Sequence, residues 1–497
     1  MSHRAACQSS YSLAWQLRII IKEYMNRYFS HIFTFFVLLT LAGIPGLLSS
    51  CKTARQSNTD NSQPEQFVTA TDTCFHMPAG ASAEVYRNLN PVVYDFYKSR
   101  NFAMYWHNPA GSHPDAMTAV IQSVRLYGLV PQDYHIAEIN DILENSDCES
   151  RFKLDALLTD ALFRLSSHVN KGRLKPIAID SALLQGDIAL KTADDIRTYL
   201  ASREPQYEGY KSLRSALALI YDTLDAASYS IPAQQAIKTL EINLERWRWE
   251  DSKLGPDYVW VNIPAFEVTV IGNGEEVIRS KAIVGTPRNQ TPTFSSAIEC
   301  FTVYPYWHVP RSIAVGEYLP AIKKNISFIP LNNLEVLDQK GNILRYDTLP
   351  WHTYNRNYFP VSLRQREGVD NALGVVKFQF DNPYSVYLHD TNAKGLFRYE
   401  NRARSHGCIR MEKAIEFALY LAGHYTKYSP SQISKYLDTK TMRRIDLDQP
   451  LPIHIRYFTA EYDGESLKIY NDVYGRDKEL LNQFYQATPV MSEKKPG

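Results

Sequence analysis

The chain has 497 residues, a formal net charge of +1, 44% hydrophobic and 22% charged residues. A single core stops growing at roughly 250 to 300 residues, so two or three domains are expected. The balanced charge excludes a strong field for nucleic acid, and the composition excludes a disordered or fibrous chain.

The first 50 residues differ from the rest. An apolar run of 17 residues, Ile32 to Leu48, follows Arg18, Lys22 and Arg27, which is the layout of an export signal, with Met25 as an alternative start to Met1. Gly43, Pro45 and Gly46 interrupt the run, and it falls short of the about 20 residues a membrane span needs. It ends in Leu48-Ser49-Ser50-Cys51, which resembles a bacterial lipoprotein cleavage box. That resemblance implies lipidation of Cys51 and attachment to a membrane by the lipid rather than by a spanning helix. Residues 1–50 are thus expected to be a lipoprotein signal peptide, and 51–74, polar and poor in core-formers, a lipidated cysteine with a flexible tether. The expected location is the periplasm, facing inward on the outer membrane, as no acidic run after Cys51 points to the cell exterior.

Cys7, Cys51, Cys74, Cys148, Cys300 and Cys408 are the six cysteines. Without the signal and the lipidated residue four remain in an oxidising compartment, enough for two bridges and no free thiol. Local sequence leans to Cys74 with Cys148, although spacing cannot settle a pairing.

Over 75–250 the periodicity is helical. Leu154, Leu157, Leu158, Ala161, Leu162 and Leu165 share one face before Gly172 stops the run, and Leu213, Leu217, Ile220 and Leu224 repeat the pattern. A third run opens on Pro232 and carries Ile237, Leu240, Leu244 and Trp247. These are packing stripes of a helical scaffold rather than binding boxes.

After Asp257 the period shifts to two. Phe266, Val268 and Val270 alternate with Glu267 and Thr269, Gly272-Asn273-Gly274 turns, and Ala282-Ile283-Val284 returns, a hairpin. Val376, Phe378 and Phe380 alternate in the same way, and Ser385 to Leu388 after Asp381-Asn382-Pro383 make a partner strand ending at His389. Between them, 312–368 reads as an insertion of mixed helical and irregular sequence, lid-like in placement.

Ser405-His406-Gly407-Cys408-Ile409-Arg410 carries the chemistry, followed by a helical pattern from Met411 to Ala422. Cys408 just ahead of a helix start and beside Arg410 is expected to favour thiolate. Gly407 permits close backbone approach, and the amides of Gly407 and Cys408 are candidates for an oxyanion hole. His389 is the candidate base, with Asp390 after it. Weighed against this are a Cys300–Cys408 disulfide and a zinc site of His389, His406 and Cys408, the latter lacking a fourth ligand at convincing spacing. The local signature of a papain-type cysteine enzyme is missing.

Ser405-His406-Gly407-Cys408, with Ser405 sixteen positions after His389, resembles the signature of the L,D-transpeptidase (YkuD-type) catalytic domain. Tyr387-Leu388-His389-Asp390-Thr391, Val261-Asn262-Ile263-Pro264, Val284-Gly285, Thr291-Pro292, Pro305-Tyr306-Trp307, Val309-Pro310 and Asn371-Ala372-Leu373-Gly374 are similar to its large, murein-crosslinking branch, over about 85–480. Membership implies that Cys408 attacks the amide between the third-position diamino acid of a tetrapeptide stem and its terminal D-alanine. A second stem's side-chain amine then resolves the thioester into a 3-to-3 crosslink. It further implies His389 as base with its ring oriented by the Asp390 carbonyl. His406 and Ser405 shape the pocket, and Arg410 supports the turn or binds a carboxylate. Tyr387, Trp307 and Asn371 contact substrate, and carbapenems acylate Cys408. Two departures stand out. The stretch from Arg203 to Ser230 is too short for the peptidoglycan-binding module of many large relatives, and Tyr304 and His308 replace asparagines beside Pro-Tyr-Trp.

The expected architecture is α+β: an all-helical scaffold at 75–250, a mainly β catalytic domain at 257–457 with the insertion, and an extension at 458–497. No cofactor, metal or nucleic acid is called for; the partners are peptidoglycan stem peptides and, through the lipid, a membrane. The alternatives are an L,D-carboxypeptidase on the same stems and a non-catalytic lipoprotein tethering membrane to murein.

Overall fold

The structure, a computed structural model, describes residues 85–486 apart from 87–88, 108–112, 144–146, 179, 181–182, 184–189, 224–230 and 252. The signal segment, Cys7, Cys51, Cys74 and the tether lie outside the described residues. No helix among the described residues is long and apolar enough to cross a membrane.

Two units make up the chain. One runs to Asp251 and takes back Ala460–Ile469 and the residues from Asp477 onward; the other holds Ser252–Thr459 and Tyr470–Arg476. The segment that the sequence sets apart as an extension is therefore divided between the units.

The first unit is helical, and its longest helix shows why. Cys148–Lys171 starts at Asp147, whose carboxylate accepts the Ser150 amide at 3.0 Å, and stops at Gly172 with φ 94°. The leucine and alanine stripe read from the sequence is buried along it. So is Asp155, whose carboxylate accepts the amides of Tyr105 and Trp106 at 2.9 and 2.8 Å, the satisfaction a buried charge requires. Glu208–Thr223 carries Leu213, Leu217 and Ile220 of the second predicted stripe, Leu224 lying outside the described residues, and Ile231–Arg248 carries the third stripe. Cys148 is disulfide-bonded, with its partner outside the described residues, whereas Cys300 and Cys408 are both free.

The second unit is built on a nine-stranded sheet in the order β11-β3-β12-β10-β9-β4-β13-β1-β2, in which β1 is Tyr258–Asn262 and β13 is Arg443–Arg456, closed on itself because β2 also pairs β3. The predicted hairpin is present: β2 (Glu267–Gly272) and β3 (Glu275–Gly285) run antiparallel. Asn273 and Gly274, at φ 53° and 82°, form the two-residue turn that this left-handed pair favours. β4 spans Phe294–Val303, β9 Val376–Phe380, β10 Leu388–His389, β11 Ala403–Ser405 and β12 Ile409–Met411. The helix Ala414–Tyr425 packs on the core side, with Phe417 against Phe378 at 4.7 Å between ring centroids.

The insertion is more ordered than its sequence suggests. β5 (Trp307–His308), β8 (Ser362–Gln365), β6 (Leu334–Leu337) and β7 (Ile343–Leu344) form a separate four-stranded sheet. Trp307, Ile313, Leu319, Ile329, Val336, Trp351 and Leu363 fill a core of its own. Strands of two to four residues are too short to show a period of two, so the pattern could not be read.

Candidate active site

The register of four neighbouring strands assembles the site. β10 pairs β12 in parallel with His389 opposite Arg410, and pairs β9 antiparallel with His389 opposite Lys377. β9 pairs β4 with Lys377 opposite Thr302 and Gln379 opposite Cys300. Paired residues share a face, so Thr302, Lys377, His389 and Arg410 form one row across the sheet. One pleat away, on the same face, the pairing continues as Cys300, Gln379, Tyr387 and Cys408. Cys408 and His389 are thus diagonal neighbours on adjacent strands. Cys300 lies three strand spacings from Cys408, roughly 14 Å, which is why both thiols are free.

Cys408 does not sit at a helix start. β12 follows it, and the helix begins only at Ala414. Ile409 and Met411 are buried and Arg410 less so, the alternation of a strand, and the Ile409 amide donates to the Tyr387 carbonyl at 3.1 Å. Sheet pairing overrides the helical pattern read from Met411 onward, and the helix dipole is removed from the thiol's account. Burial accordingly pushes the Cys408 thiol above its ordinary value, opposed by hydrogen bonding from Tyr387 and by the charges of Lys377 and Arg410. The Sγ also lies 3.9 Å from the Ser385 carbonyl, which it can reach as a weak donor.

His389 is buried, and burial together with Arg410 and Lys377 lowers its pKa to about 3, against the backbone of Asp390 and Leu373, which favours the proton. The ring is therefore neutral at physiological pH, the form a base needs. Its Nδ1 is buried without a hydrogen-bond partner.

A chain of hydrogen bonds fixes the turn. Ser405 Oγ donates to the Cys408 carbonyl at 2.6 Å and accepts the Gly407 amide at 3.2 Å. Thr291 Oγ1 donates to the Gly407 carbonyl at 2.8 Å and accepts the Gly285 amide at 2.9 Å. The Tyr474 hydroxyl donates to the Gly285 carbonyl at 2.8 Å and accepts the Thr291 amide at 3.1 Å. Gly407, at φ 117°, adopts a backbone that side chains disfavour.

Several expected roles change on this geometry. Ser405 is buried and braces the turn instead of lining a pocket. The Gly407 amide already has Ser405 as acceptor, so of the two oxyanion donors only the Cys408 amide stays a candidate. Asn371 is 2% exposed and its side chain is engaged with the backbone: its Nδ2 donates to the Pro305 and Arg366 carbonyls, and its Oδ1 accepts the Leu373 amide. Trp307 is likewise buried, in the core of the inserted subdomain, although its side chain bonds Tyr387. The Asp390 carboxylate faces away from chemistry, accepting the Val375 amide at 3.0 Å and pairing Lys394. His406 is exposed, with Nε2 2.7 Å from Glu317 Oε1 of the inserted subdomain. Arg410 is half-buried, and its Nε has no partner. Tyr387 lies beside both candidates, its ring 5.5 Å from that of His389, and burial and charge on Cys408 raise its phenol. Among the described residues no three His, Cys, Asp or Glu side chains are grouped to hold a metal ion.

Sequence reasoning did not single out Lys377, Glu317 or Tyr474, and it gave Thr291 no role. Lys377 is the polar residue between two strand-core positions, and only the register reveals what it faces.

Residues 256–435 match the model of the YkuD L,D-transpeptidase catalytic domain, and residues 91–217 that of a scaffold domain. A Haemophilus influenzae protein named "Putative L,D-transpeptidase" is 28% identical over 402 residues, covering 79% of each chain. Among solved structures, an Enterococcus faecium L,D-transpeptidase mutant aligns at 10% identity and a TM-score of 0.20, over 41% of this chain and 50% of its own. An L,D-transpeptidase from Mycobacterium smegmatis aligns at 17% identity and a TM-score of 0.19, over 40% and 58%. The chain thus spans little more than half the length of these two structures, whereas the family models and the Haemophilus relative account for most of it.

Proposed function

We propose, from the premise that this chain belongs to the L,D-transpeptidase (YkuD) family and carries an acyltransferase-type catalytic domain, that it forms 3-to-3 crosslinks between peptidoglycan stems through a Cys408 thioester. The observation that carries this reading is a free, half-buried Cys408 on the same sheet face as a neutral, buried His389, one pleat apart on the adjacent strand.

In the first half-reaction His389 takes the thiol proton as Sγ attacks the amide carbonyl joining the third residue of the donor stem to its terminal D-alanine. The Cys408 amide is the backbone donor for the oxyanion. The C–N bond breaks, His389 returns the proton to the departing amine, and D-alanine leaves. In the second, the side-chain amine of an acceptor stem attacks the thioester, an amide forms, the C–S bond breaks and the proton returns to sulfur. Water in place of the amine would give hydrolysis, and access at the thioester decides between them.

Export and lipid attachment through Cys51 belong to the same reading, supported by the Leu48-Ser49-Ser50-Cys51 box. They place the enzyme in the periplasm beside its polymer, inward facing on the outer membrane. Palmitate labelling that Cys51→Ala fails to abolish would remove this part.

Digesting walls from overexpressing cells and weighing the fragments tests the reaction. New 3-to-3 dimers are expected. Accumulated tripeptides without dimers would make the enzyme a carboxypeptidase, and an unchanged profile would contradict both.

A further inference from the structure

The row containing His389 holds a cation for which the two-residue mechanism has no use. Lys377 lies opposite His389 on β9, half-buried, with its Nζ 4.2 Å from the centroid of the Tyr387 ring. No carboxylate pairs with it among the described residues, and the same holds for Arg410 two strands away. A desolvated ammonium without a counter-ion is costly, so its persistence calls for a charge that is present only part of the time. The neighbouring groups narrow the choice. Lys377 faces Cys408, Tyr387, His389, Cys300 and His308, and Cys408 faces Tyr387, Lys377 and Arg410. Tyr387 and Cys300 are both shifted upward, chiefly by burial, which keeps them neutral near physiological pH, and His389 and His308 are shifted down, again chiefly by burial. The group in this set that must become an anion during the proposed reaction is the Cys408 thiol.

We propose that Lys377, held on the face of Tyr387, is a positioning residue that supplies the positive charge opposite the Cys408 thiolate as His389 removes its proton. Tyr387 is the lever: it shares a row with Cys408, and the attraction of its ring fixes the long ammonium side chain where Lys would otherwise seek water. Arg410, from the other flank, adds a second cation, so the thiolate forms between two fixed charges without a helix terminus. The same pair of cations disfavours a protonated His389, so the resting site is a neutral thiol and a neutral imidazole rather than an ion pair.

This inference rests on Cys408 as the nucleophile, and its test reads sulfur ionisation directly. The rate of Cys408 alkylation by iodoacetamide, followed by peptide mass in the full chain, is measured against pH for the native protein, Lys377→Met and Lys377→Arg. A charge neighbour of this kind shifts a midpoint by about one unit or more. Lys377→Met is expected to raise the midpoint by that amount, slowing alkylation roughly tenfold at a fixed pH below it. Lys377→Arg is expected to restore most of the loss. Lys377→Gln carries the same readout if the Met variant does not fold. An unchanged midpoint in a folded neutral variant overturns the proposal, including the case in which only KM for the donor rises, which would make Lys377 a substrate-carboxylate holder. Should Cys408→Ala keep crosslinking activity, the reading of the site fails instead, and the alkylation midpoint still decides on Lys377.

Discussion

Thr291 and Gly407, far apart in sequence, are joined by a 2.8 Å hydrogen bond from the threonine hydroxyl to the glycine carbonyl, and the same hydroxyl accepts the Gly285 amide. Thr291 is fully buried, so its oxygen ties the turn that presents Cys408 to the end of β3. Thr291→Val keeps the shape and leaves one buried donor and one buried acceptor without partners, a loss of about 1 to 3 kcal/mol. Thermal melting should show that loss, and D-alanine release should fall by more than the unfolded fraction explains. Unaltered stability would mean the bond carries nothing.

Two glycines of the site differ in kind. At Gly374 an added Cβ would stand 2.3 Å from Asp390 Oδ2 and 2.5 Å from the Thr391 amide, the two residues that follow His389 in sequence. At Gly407 it would meet nothing closer than the Gln290 carbonyl at 3.6 Å, and the penalty is the φ of 117° alone. Gly407→Ala should therefore cost about 1 to 2 kcal/mol and fold. Gly374→Ala should be the more damaging of the two in denaturant melts; the reverse order would contradict this packing.

His389 makes a pH prediction with a definite sign. Its folded pKa of about 3 lies below the ordinary histidine value, so between the two the unfolded chain binds the extra proton. Stability is therefore full above about pH 6.5 and declines as pH falls towards the folded value. His168 in the helical unit is shifted in the same direction, chiefly by burial, so the difference between native protein and His389→Gln is the quantity to follow. The native protein should lose more stability than the variant on going from pH 7 to pH 4. Parallel curves would show that His389 is not held neutral.

Glu317 and His406 are about half exposed and 2.7 Å apart, so their pair should add under about 1 kcal/mol to stability. It nevertheless joins the inserted subdomain to the residue two before Cys408. Glu317→Ala should leave melting nearly unchanged while altering KM for the donor stem. A variant with native kinetics would reduce the contact to a surface pair.

Much of this was legible before the fold was known. The His389 and Cys408 pairing and the Asn273-Gly274 hairpin are local signals, readable from residue type and short spacing. Other features depend on register. Ile409 to Met411 joins the sheet because Tyr387 offers its carbonyl there, although Ile415, Ala418 and Ala422 extend a helical pattern back towards it. Asn371 belongs to a family-like motif, yet backbone groups take up its amide, which composition cannot reveal. Lys377, Thr291 and Tyr474 reach the site from β9, a loop and a segment near the C-terminal end, and no sequence window contains them with Cys408.

Intact mass after exposure to meropenem tests the central claim most directly. The native protein should gain one adduct by acylation of sulfur, and Cys408→Ala should gain none while remaining folded. A native, folded protein that takes up no adduct, or an adduct that survives in Cys408→Ala, would contradict a nucleophilic Cys408 and leave the chain closer to a murein tether.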